Sequence, residues 1–198
     1  MKRRTVSNPL ALAVLANLMM GPSHPYEMGR QLKEQGKDRD IKYNRGSLYM
    51  VVEQLTKAGF IVEHETVRDT QRPERTVYAI TDAGRTEMYD WMHELVSTPA
   101  QEYPSFGVAL SLLMVLPPTE TVELLGRRLE ALTAQVEEIR ATMSQCREEG
   151  LDWWFLIEEE YRLAMREAER AFVAGLAQRL ADPEYQRMWD EFVRGKTT

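Results

Sequence analysis

The strongest constraint on this chain is a run of eight apolar residues. Val122, Leu125, Leu129, Leu132, Val136, Ile139, Met143 and Cys146 are separated alternately by three and four positions. That spacing is a heptad seam along one side of a long helix. The other faces are rich in Glu, Arg and Gln, and Gly150 ends the pattern. The next stretch, "LDWWFLIEEEYRLAMREAERAFVAGLAQRL", repeats the spacing through Trp154, Ile157, Tyr161, Ala164, Ala168 and Phe172. Two long amphipathic helices joined by a short turn predict an antiparallel hairpin. One hairpin leaves apolar surface that a second copy of the chain can cover. Leu125, Leu129, Leu132, Val136 and Ile139 are therefore candidate dimerisation residues. A last short helix, "DPEYQRMWDEFV", starts with Asp182 as N-cap and Pro183 in its first turn.

The N-terminal half is patterned differently. A first helix over about residues 8–20 begins at "SNP", with Asn8 as N-cap, and stops at "GPSHP". It is apolar nearly all round and must be covered on more than one side. Leu12 and Leu15 are candidates for packing against a second subunit. A second helix over about 23–35 takes Ser23 as cap and Gly36 as stop. A polar connector, "GKDRDIKY", leads to "YNRGSLYMVVEQLTKAGF". Here Leu48, Val51, Val52 and Leu55 make an inner face, and Gly46, Met50, Glu53 and Lys57 point outward. The period then changes. "IVEHETV" and "RTVYAIT" are β-branched and roughly alternating, and they flank "RDTQRPE". They predict a hairpin whose loop carries Arg68, Arg72 and, at the strand start, Arg75. A further helix opens at Thr81 or Asp82.

"STPAQEYPS" has two prolines and no periodicity, and it divides the chain. Residues 1–98 are expected to form one domain and residues 99–198 a helical second. The expected fold class is mainly α with a small β-hairpin: an N-terminal winged helix-turn-helix followed by a C-terminal α-helical dimerisation domain. Charge is split in the same way. Residues 1–90 hold 14 Lys/Arg against 12 Asp/Glu, and residues 91–198 hold 11 against 19, so a net −6 divides into +2 and −8. A locally basic face can dock on phosphates although the whole chain is acidic.

Enzymatic chemistry has no support in this pattern. There is no phosphate-binding glycine loop and no nucleophile elbow. His24, His64 and His93 lack metal-ligand spacing, and Cys146 falls on the heptad seam as a small apolar residue. No cofactor or metal is expected. The longest apolar run, residues 9–20, is too short to span a bilayer and contains Asn17. Its basic lead-in has the outline of a signal peptide without the cleavage motif, so a cytoplasmic protein is expected. The single cysteine fits a reducing compartment.

Nucleic-acid binding accounts for what remains. If the first two turns of the residues 43–60 helix enter a major groove, Asn44, Arg45, Ser47 and Tyr49 reach phosphates or base edges. Met50 meets a thymine methyl, Gly46 permits close approach, and Lys57 reaches at most a phosphate. The three arginines of the hairpin loop suit the DNA backbone or minor groove. A dimer matches a palindrome. The alternative is a winged helix used as a protein-interaction module, because a fold does not prove a function.

Three segments carry a family resemblance. "HPYEMGRQL", "RGSLYMVVEQLTKAGFI" and "RTVYAITDAGR" are similar, in this order and spacing, to the second helix, recognition helix and hairpin exit of the PadR-like transcriptional regulators. Thr56 and Phe60 stand where that family often has Glu and Leu. The resemblance implies a winged-helix homodimer on a palindromic operator, usually a repressor, with a C-terminal dimerisation region of the larger kind. It implies that the first helix packs on the partner's C-terminal helices. It also implies release by a small aromatic or drug-like effector. Trp153 and Trp154 are candidate lining residues for such a pocket, although paired tryptophans on a packed helix are more often core.

Overall fold

The computed structural model describes residues 4–67 and 75–195. The chain forms two compact units, Met1–Glu102 and Tyr103–Thr198.

The first unit is built around α1 (Pro9–Met19). Asn8 caps it, its Oδ1 accepting from the Leu10 N–H at 3.0 Å. Leu10, Ala11, Val14, Leu15 and Leu18 are all buried. Helices α2 (Pro25–Glu34), α3 (Arg45–Lys57) and α4 (Asp82–Ser97) pack around α1 together with β2. An apolar helix covered on several sides needs no second subunit to hide it. Leu15 is fully buried in its own unit and Leu12 packs against the same core, so Leu15 has no surface to offer a partner.

The start of α2 differs from expectation. His24, not Ser23, is the cap, its Nδ1 accepting from the Tyr26 N–H at 3.0 Å. Ser23 instead pairs with Tyr78 through two backbone hydrogen bonds of 3.0 and 2.9 Å. That bridge lays the segment before α2 against the hairpin. Strands β1 (Ile61–Val67) and β2 (Arg75–Ile80) pair antiparallel from Ile61↔Ile80 to Val67↔Arg75, with a register shift between Glu63 and Glu65.

A tight junction ties the hairpin to α4. Thr81 caps α4, its Oγ1 accepting from the Gly84 N–H at 3.0 Å and donating to Gly59 O at 2.8 Å. Gly59, at φ +74°, turns the chain out of α3 in the left-handed conformation that glycine adopts freely. Gly84 lies so close to this turn that a Cβ there would meet the Phe60 carbonyl oxygen at 2.0 Å. The N-terminal arm is pinned too. Buried Arg4 donates to Glu87 at 2.5 Å and Glu94 at 2.7 Å on α4, and its guanidinium lies 5.2 Å from the Trp91 ring centre.

The second unit contains α5 (Ser105–Ser111), α6 (Pro118–Glu148), α7 (Ile157–Leu180) and α8 (Pro183–Gly195). Helices α6 and α7 run antiparallel, as their ion pairs record: Arg128 with Glu169, Arg140 with Glu167 and Arg147 with Glu160. The heptad seam faces α7. Leu125 and Leu132 form a core with Val173 and Leu180, and Val136 and Met143 are buried further along the seam. Leu129 and Ile139 are half-buried. Leu125, Leu132 and Val136, expected as dimer contacts, are buried within the chain, Leu125 and Leu132 against Val173 and Leu180.

The predicted seam of α7 is also corrected. Trp154, Ile157, Tyr161 and Phe172 do not face α6; they are exposed, while Val173 and Leu180, about 100° further round the helix, are buried. Asp182 caps α8, accepting from the Glu184 N–H at 2.8 Å. No helix among the described residues is long and apolar enough to cross a membrane.

The Gly84 junction makes a direct prediction. Gly84→Ala forces the Phe60 backbone to move, and overpacking of this kind costs about 1–3 kcal/mol. Urea denaturation should show the melting midpoint of the first unit lowered; an unchanged midpoint would show that the close approach is not needed.

Candidate nucleic-acid interface

The site begins with the way α3 is held. Leu48, Val51, Val52 and Leu55 are buried, which turns the opposite face outward. Leu48 also packs on α2 at Gly29, where a Cβ would lie 3.1 Å from Leu48 Cδ2. A larger residue at Gly29 would push the two helices apart. Tyr43 adds a second tie, its hydroxyl donating to the Gly29 carbonyl at 2.6 Å. Burial, and next the charge of Asp38, raise the Tyr43 pKa above its ordinary value, so the hydroxyl keeps its donor proton.

The N-terminus of α3 is closed by a reciprocal cap. Asn44 Oδ1 accepts from the Ser47 N–H at 2.9 Å, and Ser47 Oγ accepts from the Asn44 N–H at 2.8 Å. Ser47 Oγ also donates to the Asn44 carbonyl at 2.8 Å. Two of the residues expected to touch DNA thus hold the helix start first. The cap uses Asn44 Oδ1 and leaves its amide nitrogen facing solvent as a donor.

Arg45 follows on the exposed side, its guanidinium 5.9 Å from the Tyr49 ring centre. Tyr49 and Met50 are exposed at 39% and 49%, large values for apolar side chains on a packed helix. So Asn44, Arg45, Ser47, Tyr49 and Met50 lie together on the first two turns. Lys57 lies further along, its Nζ 2.6 Å from Glu53 Oε1. That hydrogen bond, with the lysine's charge, holds the Glu53 carboxyl below its ordinary pKa. Arg68 and Arg72 lie outside the described residues. Arg75 is the first residue of β2, and its backbone pairs with Val67.

Sequence reasoning missed the α2 wall of the site. A groove of about 470 Å³ runs between α2 and the start of α3, lined among others by Tyr26, Arg30, Lys33, Tyr43, Arg45 and Tyr49. Tyr26, Arg30 and Lys33 are spaced i, i+4, i+7 on α2, so they share one helix face. That spacing was a readable signal. Arg30 is pre-oriented by Glu27 and Glu34, at 2.8 and 2.9 Å. Cations beside aromatic and amide groups suit a phosphate backbone.

A family model described as the transcriptional regulator PadR-like family matches residues 14–90. That match runs from α1 into α4 and includes the whole groove. Over these residues the chain is similar to the PadR-like transcriptional regulators. The negative transcriptional regulator PadR of Bacillus subtilis (strain 168) is 25% identical over 134 residues, covering 67% of this chain and 72% of that protein. The crystal structure of Bacillus subtilis PadR in complex with operator DNA matches with a TM-score of 0.70 at 18% identity, covering 88% of this chain and 99% of that one. The same protein in complex with p-coumaric acid matches with a TM-score of 0.69 at 17% identity, covering 90% and 100%. The fold shared with these structures is a winged helix-turn-helix with a helical second unit.

The second unit carries the remaining candidates. Trp153 and Trp154 stand in a 3-10 turn, Trp153–Leu156, just before α7. They are exposed, not core. Their rings meet edge to face with centres 6.5 Å apart, and Phe155 lies 5.9 Å from Trp154.

The cap offers a test independent of DNA. Asn44→Ala removes the acceptor for Ser47 N–H, and loss of such a cap costs about 0.5–2 kcal/mol. Chemical denaturation should report that loss in the first unit. Equal stability would mean that Asn44 serves only as a surface residue.

Proposed function

We propose that this chain is a PadR-like regulator, a homodimeric repressor that binds a palindromic operator through α3 and is released by a small-molecule effector. One observation carries the reading: Arg45, Tyr49 and Met50 are exposed together on a helix whose other side is locked into a core. A helix so held can enter a major groove without disturbing the fold. Asn44, Arg45 and Ser47 then meet phosphates or base edges, and Tyr49 and Met50 meet base edges and thymine methyls. Tyr26 and Lys33 extend the backbone contact along α2. The hairpin residues Arg68, Arg72 and Arg75 follow the backbone beside it, and Lys57 reaches a phosphate at most.

Dimerisation is supported by the outward stripe of α7. Ile157, Tyr161, Met165 and Phe172 recur at helical spacing and stay exposed at 50, 67, 52 and 46%. A row of this kind favours burial against another protein surface. Half-buried Leu129, Ile139 and Leu12 are secondary candidates. The effector reading draws on the solved complex of Bacillus subtilis PadR with p-coumaric acid and on the exposed rings of Trp153, Trp154 and Phe155, which suit a small aromatic compound. A cytoplasmic site of action accords with this role.

Selection from a randomised duplex library should enrich one palindromic sequence, with affinity falling steeply as salt rises. The double variant Arg45→Ala, Tyr49→Ala should lose that sequence and keep its sedimentation behaviour. Retained binding would remove α3 from the interface. A stable protein partner without any enriched sequence would favour the interaction-module reading. A second variant, Tyr161→Asp, should shift the sedimenting species from dimer to monomer at micromolar concentration. An unaltered dimer would place the interface elsewhere.

A further inference from the structure

The two flanks of α3 are lined by different charged groups. On the α2 side, Arg30, Lys33 and Arg45 line the groove, and no carboxylate does. On the hairpin side, a cleft of about 440 Å³ separates α3 from the strands. Glu53 and Glu63 line it, and among the described residues no cation does. A phosphate backbone finds cations on the first flank, whereas next to the cleft on the second it meets carboxylates.

Glu53 occupies the centre of the outward face. It lies one turn beyond Met50, in line with Gly46 and Lys57. Its side chain is 65% exposed, and Lys57 holds one carboxylate oxygen at 2.6 Å. The other oxygen has lone pairs that can accept a further hydrogen bond. Lys57 keeps the group ionised, so it is an acceptor only. Such a group in a DNA-facing surface weakens non-specific binding. It is compensated only where the duplex presents a donor.

We propose that Glu53 is a specificity-determining residue, whose Lys57-steered carboxylate accepts a hydrogen bond from the exocyclic amino group of a cytosine in the major groove. This rests on the reading of α3 as the element that enters DNA. Cytosine N4 is the donor that carboxylates read in that groove. Guanine presents only acceptors there, and thymine presents an acceptor and a methyl group, so both meet the carboxylate unfavourably. Discrimination therefore comes from a repulsive element as much as an attractive one. The cation-lined α2 flank supplies affinity, and Glu53 selects among sequences.

The test compares wild type with Glu53→Gln and Glu53→Ala, using selection from a randomised duplex and then anisotropy with the wild-type operator and a scrambled duplex of equal length. Glu53 is exposed, and thermal melts confirm that each variant is folded. The proposal expects both variants to lose a cytosine preference at one position in each half-site. It expects affinity for the scrambled duplex to rise, and the operator-to-scrambled ratio to fall roughly tenfold, the scale of one good base contact. An unchanged consensus and ratio in both variants would overturn the role of Glu53 and leave the operator reading standing. If wild type itself enriches no sequence, the operator reading fails, and this inference fails with it.

Discussion

The first unit depends on the burial of α1. Leu10, Val14, Leu15 and Leu18 give this helix apolar surface on several sides, and α2, α3, α4 and β2 close over it. Burying such side chains stabilises the unit by about 1.5–3 kcal/mol each relative to exposure. The consequence for function is geometric. Once Leu48, Val51, Val52 and Leu55 join that core, α3 has one side left for solvent, and the residues on that side cannot rotate away. The Gly29–Leu48 contact and the Tyr43 hydrogen bond fix how α2 lies beside it. The surface that meets a ligand is pre-organised by packing several residues away.

The second unit answers a different question with similar means. Helix α7 has two faces with apolar character. One, through Val173 and Leu180, is consumed by α6. The other, through Ile157, Tyr161 and Phe172, is left open. The cross-helix ion pairs choose between them: Glu160, Glu167 and Glu169 stand where Arg147, Arg140 and Arg128 of α6 can meet them. Exposed pairs add little stability individually, about 0–1 kcal/mol each.

Much of this was legible in the sequence. The helix-to-strand change of period after Gly59, the Asn8 and Asp182 caps, the inner face of α3 and the α6–α7 hairpin all follow from local spacing. The exposed row on α3 followed as well, because outward and inward positions alternate by simple angle counting. What could not be read depended on contacts distant in sequence. Ser23 pairs with Tyr78, Arg4 reaches Glu87 and Glu94, and Gly84 meets the Phe60 carbonyl. The α7 seam was misassigned for a related reason. Periodicity finds an apolar stripe, but it does not say whether the stripe is covered by the same chain or awaits another. The heptad of α6 and the stripe of α7 looked alike in spacing, and only the first is buried internally.

The central claim is that α3 and the adjoining face of α2 form the DNA-contacting surface. Amide hydrogen exchange of the protein alone and with its selected operator duplex tests this most directly. The account predicts added protection in residues 26–33 and 44–53, with α1 and the α6–α7 core unchanged. Protection confined to the second unit, with residues 44–53 exchanging as in the free protein, would contradict it.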